Sequence, residues 1–225
     1  MPTAVVTGAS QGIGRAIALR LAPDYAIVAL ARNESALKSL GADIAARGGR
    51  YTAITADLRD PAAIATALAG VRADVLVNNA GVMRRKPFID LTPDDWAEMM
   101  DVNVNAIFHV TRALLPAMIA QGRGHVINVS SIAGRSVMIG GSGYNATKHA
   151  VQALSECLML EVRDHGVKVS LVMPGSVATE LSPGGSKVEW ALRPADVAEA
   201  VAQVLAMPAH ALTFILEVRA SRPRK

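Results

Sequence analysis

Short β-branched runs alternate along the chain with stretches whose apolar residues recur every three or four positions. Thr3 to Val6, Ala26 to Leu30, Tyr51 to Ala56, Asp74 to Val77, His125 to Val129, Val167 to Val172 and Phe214 to Val218 read as strands. They are short and apolar enough to be covered on both faces. Helical patterns lie between them. Ile13 to Leu21 carries a stripe of Ile13, Ile17 and Leu21, and further patterns span Glu34 to Ala46 and Pro61 to Ala69. A long helix is expected from Pro93 to Ala120, where Thr92 offers a cap and Asp94 and Asp95 put acid in the first turn. Asn145 to His165 forms another, closed by Gly166, and Pro194 to Leu205 the last. Strand–helix alternation from end to end implies right-handed crossovers and a parallel sheet. The fold class is therefore α/β, a doubly wound sheet of about seven strands with helices on both faces. No linker, repeat or composition shift divides residues 1–225, so one domain is expected, with its ligand outside the carboxyl ends of the strands.

Composition adds limits to this picture. Of 225 residues 51% are hydrophobic, only 19% charged and 4% aromatic, so small aliphatic side chains must fill a large core. The net charge of +4 is not gathered in one recognition element. Its dense runs, Arg84-Arg85-Lys86 and the tail with Arg219, Arg222, Arg224 and Lys225, read as solvated faces, and no nucleic-acid partner is expected. The single cysteine, Cys157, excludes an internal disulfide and suits a reducing compartment. Flanked by Leu154 and Leu158, it reads as a buried structural thiol. No basic-then-apolar leader is seen and no run reads as a membrane span, so a cytoplasmic protein without a membrane partner is expected. The five histidines share no spacing that suggests a metal.

Chemistry concentrates at the strand ends. Thr7-Gly8-Ala9-Ser10-Gln11-Gly12-Ile13-Gly14 joins the first strand to the first helix. So tight a turn needs glycine for unusual dihedrals and close backbone approach. The helix start then presents unpaired N–H groups and a positive dipole end to a pyrophosphate. Its spacing is Gly-x3-Gly-x-Gly rather than the Gly-x-Gly-x2-Gly of the common dinucleotide fingerprint. Tyr144 and Lys148 stand four apart at a helix start, after Gly140-Gly141-Ser142-Gly143, so both side chains project from one face.

This set resembles the short-chain dehydrogenase/reductase family. The resemblance runs through TGASQGIG, Asp57-Leu58, Asn78-Asn79-Ala80-Gly81, Asn103, Ser131, Tyr144-x3-Lys148 and Pro174-Gly175-x3-Thr179, in that order, and covers nearly the whole chain. It implies a Rossmann-type fold and hydride transfer between a nicotinamide and a carbonyl or secondary alcohol. Tyr144 would be the acid/base, Lys148 the group that lowers its pKa and binds the ribose, Ser131 the polariser of the carbonyl oxygen, and Asn103 a proton relay in a kinked helix. Ser130 competes with Ser131, which the spacing favours. Gly8, Ser10, Gln11, Gly12, Ile13 and Gly14 would cradle the phosphates, with Asp57 and Leu58 flanking the adenine and Asn79 and Gly81 beside its ribose. Pro174, Gly175, Val177 and Thr179 would hold the nicotinamide carboxamide.

The second strand ends in Ala31-Arg32-Asn33, where NAD sites usually place a carboxylate. Arg32 can fork onto a 2′-phosphate, which favours NADP. Gln11 stands where many NADP-dependent relatives have a basic residue, and Arg15 is expected to compensate in part. The substrate loop, about residues 180–193, is short and its Leu181 to Ser186 reads as flexible. Val137, Met138 and Ile139 suggest apolar substrate contacts. Met99 and Met100 read as core. The two long helices have apolar faces that would make a homodimer or homotetramer in this family. Two other readings compete. One is a 3-oxoacyl-thioester reductase, which would use Arg84-Arg85-Lys86 to meet a carrier. The other is a non-catalytic NADP-sensing regulator, which would typically have lost Tyr144 or Lys148.

Overall fold

The computed structural model describes residues 1–181 and 188–222; Ser182 to Ser186, expected to be flexible, and Arg224 and Lys225 lie outside them. Seven strands, β1 (Thr3–Thr7), β2 (Ala26–Ala31), β3 (Tyr51–Thr55), β4 (Val75–Asn78), β5 (Gly124–Val129), β6 (Val167–Pro174) and β7 (Ile215–Val218), form one sheet in the order β3-β2-β1-β4-β5-β6-β7. Every pairing is parallel. The order reverses between β1 and β4, which opens a crevice above their carboxyl ends.

Alternation along the strands sorts the core into two layers. Ala4, Val6, Val75, Val77, Ile127 and Val129 face one side, with α1 (Gly12–Leu21), α2 (Glu34–Ala45) and α7 (Pro194–Leu205) packed there through Ile17, Leu37, Ile44, Val197 and Val201. Val5, Leu76 and Val126 face the other, against Ile64 of α3 (Pro61–Ala67), Val110, Leu114 and Met118 of α5 (Ala106–Gln121) and Val162 of α6 (Ser142–Val162).

The long helix expected from Pro93 is in fact broken. α4 (Pro93–Met100) opens on a reciprocal cap between Thr92 and Asp95. It then passes through a π-helical turn, Asp101–Asn105, in which the Ala106 N–H reaches back five residues to the Asp101 carbonyl. Only beyond that does α5 resume. The expectation of no membrane-length segment also needs correction: Pro93–Gln121 is long and apolar enough by length and composition to cross one. In this fold it buries Val110, Leu114 and Met118 on the sheet and leaves Phe108 48% exposed. Cys157 is exposed rather than buried. α6 buries Val151, Ser155 and Val162 on the sheet, and a residue two past Ser155 points roughly 200° away from that stripe.

Candidate active site

At the end of β1 the Thr7 hydroxyl accepts the backbone N–H of Asn79 (3.0 Å) and Ala80 (3.1 Å). The Asn79 carboxamide donates back to the carbonyls of Thr7 (3.0 Å) and Gly8 (3.4 Å). Those bonds draw the β4 loop onto the glycine turn. Gly8 has φ +65°, and a side chain there would come within 2.8 Å of the Ala80 Cα. Gly14 packs behind the turn, where any Cβ would overlap the Gly8 carbonyl. Gly8, Ser10, Gln11, Gly12 and Ile13 line the crevice, and a Cβ at Gly12 would come within 3.4 Å of the Thr179 methyl. The Gln11 side chain does not cap α1, and no acid stands in its first turn, so the helix offers its N–H groups to the crevice.

The adenosine end of this crevice is lined by Arg32 and Asn33 after β2 and by Asp57 and Leu58 after β3. Asn33 caps α2, its Oδ1 accepting the Ala36 N–H at 3.0 Å. Arg32 is exposed and makes no hydrogen bond or ion pair among the described residues. Asp57 is gripped by Arg59 at 2.6 Å, and that bond holds its carboxyl down to about 2. Arg15 does not compensate for Gln11: its guanidinium is paired with Asp43 of α2, away from the crevice.

At the other end, Ser131 follows β5 and its Oγ accepts the Ala133 N–H at 3.1 Å, starting a single 3₁₀ turn. Its hydroxyl is close enough to the Tyr144 phenol to favour the phenolate in part. Ser130 instead lies 3.5 Å from the Lys148 carbonyl, so its hydroxyl is turned to helix backbone. α6 begins at Ser142, three residues before the expected start, which puts Tyr144 and Lys148 one turn apart on its inner face. The Lys148 Nζ lies 5.6 Å from the Tyr144 ring centre and donates to the Val129 carbonyl at 3.3 Å. Both are buried, and burial sets their titration: Lys148 is pushed down to about 8, while Tyr144 is raised, the Ser131 hydroxyl opposing in part. The desolvation of Tyr144 outweighs its partners.

Asn103 occupies the centre of the π turn and is fully buried. Its Oδ1 accepts the Val82 N–H (2.8 Å), and its Nδ2 donates to the Val82 carbonyl (2.9 Å) and the Thr147 hydroxyl (3.1 Å). Both amide hydrogens are thus spent, and one Oδ1 lone pair remains. Asn103 ties the loop after β4 to α6 from behind the crevice wall.

Sequence reasoning missed Asn145. Its Nδ2 donates to the carbonyls of Ala133 and Ser136, both at 2.7 Å, and its Oδ1 accepts the Met138 N–H at 3.4 Å. One carboxamide therefore clamps the whole β5–α6 loop to the helix that carries Tyr144. An amide directly beside the tyrosine of Tyr-x3-Lys was the available signal.

Pro174, Gly175, Val177 and Thr179 line the β6 side, and the crevice measures about 1110 Å³. The Gly175 N–H is held by the Val218 carbonyl at 2.8 Å, and Val177 pairs with Leu192. Gly81, Val82, Met83, Met138, Leu181, Val188 and Trp190 complete the crevice wall. Val137 and Ile139 do not join them: they are 81% and 92% exposed. Met99 is fully buried and packs against Tyr144, whereas Met138 lines the crevice. Among the described residues no three His, Cys, Asp or Glu side chains converge as metal ligands would.

A family model described as short chain dehydrogenase matches residues 2–189. The oxidoreductase UcpA of Escherichia coli K12 is 36% identical over 96% of this chain and 84% of its own length. A metagenomic short-chain oxidoreductase, solved in complex with NADP, superposes with a TM-score of 0.88 at 38% identity, covering 99% of this chain and 98% of the other. An alcohol dehydrogenase from the archaeon Thermococcus sibiricus, complexed with 5-hydroxy-NADP, gives a TM-score of 0.91 at 30% identity over the full length of both.

Proposed function

The chain belongs to the short-chain dehydrogenases, NAD(P)-dependent dehydrogenases and reductases, and on that premise we propose that it moves a hydride between NADP(H) and the carbonyl or secondary alcohol of a small molecule. The observation that carries this reading is the meeting of Ser131, Tyr144 and Lys148 in one crevice with the glycine turn. The residues present fit a dinucleotide: open N–H groups of α1 for the pyrophosphate, the unpaired Arg32 for a 2′-phosphate, and Lys148 for ribose hydroxyls. Asp57, Leu58, Asn79 and Gly81 would border the adenosine, and Pro174, Gly175, Val177 and Thr179 the carboxamide. NADP bound to the metagenomic neighbour supports the same choice.

When bound, the reduced nicotinamide supplies the hydride to the carbonyl carbon. The Ser131 hydroxyl donates to the carbonyl oxygen and polarises it. Tyr144 gives that oxygen its proton as the C=O π bond opens. The raised pKa of Tyr144 suits this role, because the phenol is fully protonated at neutral pH and ready to donate. Oxidation is the reverse and needs the phenolate, which an ammonium at Lys148 and an oxidised nicotinamide would both favour. Asn103 acts mainly as an anchor, and its remaining Oδ1 lone pair is the place for a relay water.

For the thioester alternative, Arg84 and Lys86 of the basic run pair with Glu98 and Asp95, which leaves Arg85 as the cation of that run without a carboxylate partner among the described residues. The sensor alternative has no support in a chain that keeps the whole catalytic set. The exposed apolar side chains of α5 and α6, Phe108 and Leu160 among them, suit assembly into a homodimer or homotetramer, and a monomer in sedimentation would refute it. The test of function is loss of NADPH absorbance against a panel of ketones, aldehydes and acetoacetyl thioesters. Turnover with ketones or aldehydes is expected, and none with any carbonyl would overturn the reading.

A further inference from the structure

Three consecutive cations follow β4, and the structure treats them differently. Arg84 reaches Glu98 at 2.7 Å and Asp95 at 3.8 Å, and Lys86 reaches Asp95 at 2.6 Å. Arg135, on the far side of the 3₁₀ turn after Ser131, is bound to Glu217 at 3.0 Å. Arg85 alone of these four pairs with no carboxylate among the described residues, and it alone lines the crevice. Its side chain is nonetheless tethered at one point. The Lys86 N–H donates to the Gly140 carbonyl at 3.0 Å, the Arg85 Nε donates to the Ile139 carbonyl at 3.2 Å, and the Arg85 stem lies over Gly140. An anchored Nε leaves both terminal amino groups of the guanidinium for a ligand, in the fork that matches a carboxylate.

Sheet order separates this cation from Arg32. Arg32 follows β2 on one side of β1, whereas Arg85 follows β4 and touches the loop after β5, the loop of Ser131. Its charge therefore stands on the substrate side of the crevice, beside the apolar Met83 and Met138. Arg85 is exposed, so its guanidinium faces the crevice mouth, where an entering anion can reach it. The wall also holds Glu180, which makes no ion pair with Arg85.

We propose that Arg85 selects substrates that carry a carboxylate, or a comparable anionic group, in addition to the reacting carbonyl. This rests on the oxidoreductase reading above and narrows its substrate class to keto acids and hydroxy acids. The test compares pyruvate, acetoacetate and levulinate with their methyl esters, cyclohexanone serving as the uncharged reference. The unmodified protein is expected to prefer at least one acid over its ester by tenfold or more in kcat/KM. Arg85→Gln should erase that preference through KM, Arg85→Lys should keep part of it, and Arg84→Gln should leave the ratio as it was. Acids and esters reduced equally, or an acid preference that survives Arg85→Gln, would overturn the proposal. Turnover of cyclohexanone in that event keeps the oxidoreductase reading intact. No turnover of any carbonyl would remove both.

Discussion

At the end of β2 the crevice wall is wet and loosely held, whereas beneath the end of β5 it is dry and cross-linked. Arg32 is exposed and unpaired, and the Asp57–Arg59 pair beside it leaves 35% and 45% of its side chains in solvent. Tyr144 and Lys148 are 7% and 4% exposed and Asn103 not at all; Asn103 and Lys148 are bonded to neighbouring elements and Tyr144 is packed against Met99 and Ala133. The contrast follows from what each end must do. Reading a phosphate needs only a charge that can reach it, and water tolerates such a charge without a partner. Moving a proton needs groups whose pKa values depart from those in water, and at this end burial is the leading cause of the shifts. Burial joins tuning and holding around Tyr144 and Lys148, whereas at the β2 end the one strongly shifted group, Asp57, is held by the part-exposed Arg59 and Arg32 stays free to meet a phosphate.

Removing the Tyr144 hydroxyl should have the largest effect. Tyr144→Phe keeps the ring packed on Met99 and Ala133, so the melting temperature should barely move. The kcat/KM for carbonyl reduction should fall about 10²- to 10⁴-fold. A fall of less than tenfold in a folded variant would show that the proton comes from elsewhere and that the buried end is merely structural. A pH profile gives the next effect in size. Lys148, lowered to about 8 by burial, is an ammonium below that pH and neutral above it, and the ammonium is the form that supports Tyr144 and binds ribose. Reduction should therefore lose about tenfold in kcat/KM per pH unit above about 8. Tyr144 titrates higher because burial raises it, so it does not blur that limb. A profile flat to about pH 10 would detach Lys148 from the chemistry.

How much of this was legible in sequence depended on how far each feature reaches along the chain. Strands, helices and the glycine turn are local, and their periodicity and turn chemistry placed them within a few residues. The crevice followed, because strand ends in a parallel sheet must gather at one edge. The π turn was half visible: an asparagine at 103 has little reason to sit mid-helix, yet Val102, Val104 and Ala106 continue the apolar pattern through it. Features resting on pairings between distant residues were not legible. Arg15 is spent on Asp43, Arg84 on Glu98, and the Asn145 amide on carbonyls nine and twelve residues away. Which side of a loop faces inward was equally hidden: Met138 turns to the crevice while its neighbours Val137 and Ile139 turn out.

The smallest expected effect belongs to the wet end and tests whether exposure has the consequence assigned to it. Arg32→Ala should raise KM for NADPH about tenfold and leave KM for NADH nearly unchanged, because only the former carries a 2′-phosphate. The effect is modest because water and salt compete for an exposed guanidinium. Raising the ionic strength should accordingly shrink the NADPH preference of the unmodified protein and do little to the variant. Reduction of a saturating ketone at saturating NADPH should keep its kcat, since Arg32 lies across β1 from the residues that move the proton. A variant with an unaltered NADPH-to-NADH ratio would mean that the phosphate is read elsewhere along the crevice. An unaltered ratio that also resists salt would place the reader among buried groups and erase the division between the two ends.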